Sequence, residues 1–151
     1  MGKINSDAEI LEFAIAKEME AYHFLMALAG RVDSDLVRKA FENMAKEELE
    51  HKAKLELEVL KTGRTVSTEQ TPARPESGYI ISDDDVQFDM DYSDMLLLGI
   101  EKEDAAFRIY VTMAAKAREE ELREMFLALA EEEIKHKIRF QTEYDLLMQE
   151  E

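Results

Sequence analysis

Each of the three histidines in this chain of 151 residues has a glutamate three positions before it: Glu20 with His23, Glu48 with His51, and Glu133 with His136. A carboxylate and an imidazole at that spacing share one face of a helix, where together they can ligate a divalent metal ion. Because 24 residues are glutamate, such pairs also arise by accident, so their surroundings must decide. In "EELEH" (47–51) and "EEIKH" (132–136) the surroundings are apolar. On a helix, Glu48 and His51 share a stripe with Phe41, Met44, Ala45 and Leu55, and Glu133 and His136 share one with Phe126, Leu129, Ala130 and Phe140. Both pairs should therefore face a core.

Two further carboxylates pass the same test. Glu18 falls on the stripe of Ala14, Ala21 and Leu25, and Glu103 on that of Gly99, Ala106 and Tyr110. Glu20 lies about 200° around the helix from Glu18, so Glu20 and His23 are expected at the surface. Four inward carboxylates without compensation would be costly, since each loses hydration and each repels the others. Two divalent ions would supply four positive charges. One glutamate from each of two helices with Glu-x-x-His from each of the other two is the arrangement of di-iron and di-manganese bundles. Iron, manganese and zinc all suit such ligands. Four surface glutamates on a metal-free bundle, or on one with a purely structural metal serving as an interaction module, is the plainer alternative.

The elements that must position these residues are helices. Five Gly, two Pro and abundant Ala, Leu, Met, Glu and Lys favour an all-α chain. Ser6 with Glu9 reads as a capping box opening the first helix, and Gly30 as its stop. A second helix should begin near Asp33 or Ser34 and run to Gly63. The helical period is lost from 62 to about 92, a stretch that holds both prolines. A third helix follows from about Ser93, and a fourth from shortly after Arg118 to the end. That last break has neither Gly nor Pro to mark it and is placed by an internal repeat. Displaced by 85 residues, Lys17 and Glu18 meet Lys102 and Glu103, Ala21 meets Ala106, and Glu47, Glu48 and His51 meet Glu132, Glu133 and His136. Glu20 and His23 meet Ala105 and Arg108, which again sets that pair apart.

The expected architecture is one domain, a four-helix bundle of two helical hairpins (6–61 and 93–149) joined by a crossover (62–92). A helix of 25 residues is about 38 Å long, and thirty extended residues reach about 100 Å, so the crossover can span the bundle. A net charge of −16 argues against nucleic acid, whose phosphates call for clustered Lys and Arg. It equally disfavours anionic membrane surfaces. No cysteine is present, so any metal must bind through Glu, Asp and His. No run of about 18 apolar residues could cross a bilayer, and the N-terminus lacks the apolar stretch of a signal peptide. A cytoplasmic location is expected.

"AKEMEAYHFLMALA" with "EELEH", then "EKEDAAFRIYVTMAA" with "EEIKH", resembles the rubrerythrin branch of the ferritin-like superfamily over roughly residues 6 to 148. The resemblance implies a ferritin-like bundle with two iron ions held by Glu18, Glu48 and His51 from the first half and Glu103, Glu133 and His136 from the second. Glu48 and Glu133 would be the bridging carboxylates. Tyr110, two turns from Glu103, reads either as a hydrogen-bond donor to one of these ligands or as an ordinary core tyrosine. The resemblance further implies a homodimer that reacts with hydrogen peroxide or dioxygen. Two departures bear on the reaction. The four-cysteine rubredoxin domain of many family members has no counterpart in this sequence, so electrons would come from a separate rubredoxin-type donor. An additional glutamate used by the family one turn after the third-helix ligand is replaced by Ala106. The alternative within the same site is iron handling, in which ferrous iron is oxidised for binding or delivery.

Overall fold

The computed structural model describes residues 6–61 and 90–150, which form four α-helices: α1 (Asp7–Ala29), α2 (Asp35–Lys61), α3 (Tyr92–Lys116) and α4 (Glu120–Gln149). Most of the expected crossover lies outside the described residues. The helix starts follow capping chemistry. Ser6 accepts from the Glu9 amide at 3.2 Å, and Ser34 from that of Val37 at 3.3 Å. The third helix begins at Tyr92 because Asp91 and Asp94 form a reciprocal capping box. The unmarked break before α4 is held from a distance. Ala117 takes an extended conformation, and the Asp7 carboxylate accepts from the Arg118 and Glu119 amides at 3.0 and 3.2 Å.

Each hairpin packs along its length, α1 on α2 and α3 on α4, while α1 and α3 touch only lightly. The apolar residues divide into two clusters. One gathers Ile10, Leu11 and Ile15 of α1 with Leu55 and Val59 of α2, Ile109 and Met113 of α3, and Leu122 and Phe126 of α4. The other gathers Phe24, Leu25 and Leu28 with Phe41 and Met44, Met95 and Leu96, and Phe140. On every helix the inward Glu or Glu-x-x-His falls between the two groups, so a polar layer divides the core. The order of the clusters also gives helix direction. Both α2 and α3 start at the Phe41 end, so α2 ends and α3 begins at opposite ends of the bundle. In agreement, Lys61 at the end of α2 lies 3.6 Å from Glu121 at the start of α4. This is an all-α four-helix bundle, and among the described residues no helix is long and apolar enough to cross a membrane.

Candidate metal centre

The polar layer holds Glu18, Glu48, His51, Glu103, Glu133 and His136, all buried. Helix periodicity brings each one inward, and antiparallel packing brings them to one level. Ligand atoms of Glu18, Glu48, His51 and Glu133 lie within 4.8 Å of one another, and so do those of Glu103, Glu133 and His136. The imidazoles are nearly parallel, with ring centres 6.4 Å apart, and each turns Nδ1 toward the carboxylates. Glu48 Oε1 is 3.6 Å from His51 Nδ1 and 3.3 Å from His136 Nδ1. Glu133 presents Oε1 to His51 at 3.2 Å and Oε2 to His136 at 3.9 Å. These two carboxylates thus stand between the histidines. Glu18 and Glu103 lie to either side, 3.6 Å from His51 and from His136 respectively.

Seven buried atoms in this layer lack an aligned hydrogen-bond partner among the described residues: Glu18 Oε2, Glu48 Oε1, Glu103 Oε2, both Glu133 oxygens and both Nδ1 atoms. Unsatisfied buried polar atoms cost stability, and here they converge from four helices on one small volume. Two clusters of carboxylate and imidazole donors sharing Glu133 fit a metal centre in both number and type of ligand.

Residues 9–92 and 94–151 match the rubrerythrin family. The chain belongs to the rubrerythrin family. A hypothetical protein from Pyrococcus furiosus has a similar solved structure, with a TM-score of 0.76 and 24% identity, covering 95% of this chain and 91% of that one. A search of curated proteins found no match.

The electrostatics of this rubrerythrin-family site follow from burial. Burial raises Glu18, Glu48 and Glu103 above the usual carboxylate range, and the neighbouring charge of Glu133 adds to the rise in each. Burial pushes Glu133 in the same direction, but its contacts with His51 and Glu103 outweigh it and hold Glu133 down to about 2. For His51, burial lowers the pKa, and the adjoining Glu133 and Glu18 reverse this and lift it to about 10. Tyr110 donates its hydroxyl proton to Glu18 Oε1. Burial first, and then the charge of Glu18, puts the Tyr110 phenol well above its ordinary range.

Beside the layer, between α1 and α3, is a cavity of about 10 Å³ bordered by Lys17, Glu18, Ala106 and Tyr110, room for roughly one water-sized molecule. His23 is exposed, outside the site, as its face predicts. Glu20 is outside it too but is less solvated than expected, because it accepts from the buried Lys17 ammonium at 2.9 Å. Three participants escape a sequence reading based on stripes. Lys17 and Lys102 are buried beside Glu18 and Glu103, and their coincidence in the repeat was the available signal. Glu47, on the rim of the layer, contacts His136 Nε2 across the hairpins; no apolar stripe on its own helix marks it.

Proposed function

We propose that Glu18, Glu48, His51, Glu103, Glu133 and His136 hold two metal ions, iron by preference and manganese or zinc as substitutes, and that the centre reacts with hydrogen peroxide or dioxygen. The observation that carries this reading is the convergence of seven unpartnered buried donor atoms from four helices. Glu48 and Glu133 would be shared by both ions, since each carboxylate lies between the two imidazoles. Glu18 and Glu103 are terminal ligands, and Tyr110 orients Glu18 through its hydroxyl. Two ferrous ions would supply one electron each to peroxide, so that reduction releases no radical. Buried Phe, Leu and Met side chains on either side of the layer keep bulk water from it, and the cavity beside Ala106 has room for a molecule about the size of water. Electrons reach the site from a separate rubredoxin-type donor, and the protein works as a homodimer in the cytoplasm.

A second reading, oxidation of ferrous iron for storage or delivery, is favoured by one feature. Ala106 leaves the wall of the cavity without a carboxylate at the place where an additional family ligand is expected. Metal analysis and turnover separate the readings. Glu48→Ala or Glu133→Ala should abolish binding of both ions, while His51→Ala or His136→Ala should chiefly weaken one, and His23→Ala should change nothing. Two ions retained equally in all four site variants would sink the ligand assignment. Rapid oxidation of added ferrous iron with no peroxide-dependent reoxidation of the centre would replace the peroxidase reading with iron handling.

A further inference from the structure

The two histidines are held unequally, and the difference traces to one residue in each repeat. Glu47 and Glu132 occupy equivalent places, each just before an inward glutamate. Glu47 reaches across to α4, where Oε2 meets His136 Nε2 and Oε1 lies 3.5 Å from Arg139 Nη2. An ionised carboxylate only accepts hydrogen bonds, so a neutral His136 bonded to it carries its proton on Nε2 and turns the Nδ1 lone pair toward Glu48 and Glu103. Glu132 turns away and accepts from Lys135 Nζ at 3.3 Å on its own helix. Among the described residues no carboxylate stands behind His51 as Glu47 stands behind His136. The sequence holds the cause. Three positions after Glu132 comes Lys135, a cation placed to capture it, whereas three positions after Glu47 comes Glu50, which repels it.

We propose that Glu47 is a positioning residue that makes the two metal positions unequal, fixing the His136 tautomer so that the ion on the His136 side binds first and more tightly. The inference rests on the metal-centre reading above. A carboxylate behind a ligating imidazole fixes ring and tautomer and raises its basicity, and losing such a partner weakens metal binding by about 10–100-fold.

Chelator-stripped full-length protein titrated with Co²⁺, followed by absorption and calorimetry, should bind in two unequal steps. Glu47→Ala should weaken the tighter step by about 10–100-fold, and Glu47→Gln, whose amide oxygen still accepts from Nε2, should recover part of the loss. Glu50→Lys gives Glu47 a captor on its own helix and should reproduce Glu47→Ala with Glu47 in place. Glu132→Ala should leave both steps unchanged. A second readout needs no metal. Imidazole ¹H–¹⁵N spectra of the stripped protein should show His136 fixed as the Nε2–H tautomer in wild type, and a mixture in Glu47→Ala and Glu50→Lys. Equal steps in wild type, a tighter step untouched by Glu47→Ala, or an equal loss in Glu132→Ala would overturn the inference and leave the metal centre standing. No Co²⁺ bound by the wild-type protein would overturn both.

Discussion

Among the residues of the site, Glu18 and Glu103 are repeat partners in unlike company. Glu18 receives the Tyr110 hydroxyl, while the position equivalent to Tyr110 in the first hairpin is Leu25, which has no donor. Removing the hydroxyl with Tyr110→Phe leaves a buried Glu18 oxygen without a partner, a loss of about 1–3 kcal/mol. That cost belongs mainly to the metal-free protein, because a bound cation would take over the stabilisation of the same carboxylate. Denaturant unfolding of Tyr110→Phe with and without chelator should therefore show the larger destabilisation with chelator. An equal loss in both conditions would mean that Tyr110 contributes packing alone. The buried Glu and His cluster was legible in sequence because a stripe and a repeat both constrain it, as with Glu48 and His51 on the stripe of Phe41 and Leu55. Glu47 and Lys17 were not legible. Each sits at the edge of a stripe, where a long side chain can turn either way, and the choice is made by a neighbour: Glu50 and Arg139 for Glu47, and Glu20 for Lys17.

Between elements, the repeat shows how one hairpin design tolerates different packing. A Cβ on Gly99 would lie 2.5 Å from the Phe140 ring, so α3 and α4 fit only because that carbon is missing. The corresponding residues of the first hairpin are Ala14 and Leu55, both buried in one cluster. A larger residue on one helix thus accompanies a smaller one on its partner. Gly99→Ala gains helix propensity of up to about 1 kcal/mol but overpacks a closed site at a cost of about 1–3 kcal/mol, so net destabilisation is expected. Phe140→Leu alone should also destabilise, by leaving space. The double variant recreates the first hairpin's pair and should be more stable than the sum of the single losses, a coupling that a double-mutant cycle measures directly; strict additivity would refute the compensation. The four helices were legible because their periodic segments are long, and the first two also open on ordinary Ser caps. The start of α3 was less sharp, since the acidic residues before Tyr92 offer several possible caps and only the reciprocal Asp91–Asp94 bonds select one. The break before α4 carries no local signal because its amides are satisfied by Asp7, more than a hundred residues away in the chain.

For the whole molecule, the cost of the polar layer should set how stability depends on pH, in opposite senses with and without metal. With no metal bound, Glu18, Glu48 and Glu103 have pKa values raised above 4.5. Stability that is fully present below 4.5 is then lost as pH rises through their folded values. His51 acts in the same sense, its contribution present below 6.5 and lost as pH climbs through about 10. Glu133 acts oppositely, but only in acid, where its contribution disappears as pH falls from 4.5 through about 2. From pH 5 upward the stripped protein should therefore lose stability steadily. The loaded protein should gain stability between pH 5 and 7, because protons compete with metal for the same ligands and bound metal stabilises the fold by mass action. The polypeptide's own charge, −16 at pH 7, is common to both forms, so the difference between them reports on the site and the charge bound there. Thermal melts at pH 5 and pH 7.5, with and without chelator, should show a gap in melting temperature that is wide at the higher pH and narrow at the lower. A melting temperature indifferent to chelator at pH 7.5 would mean that the four carboxylates are compensated without metal, and both the centre and the chemistry proposed for it would have to be abandoned.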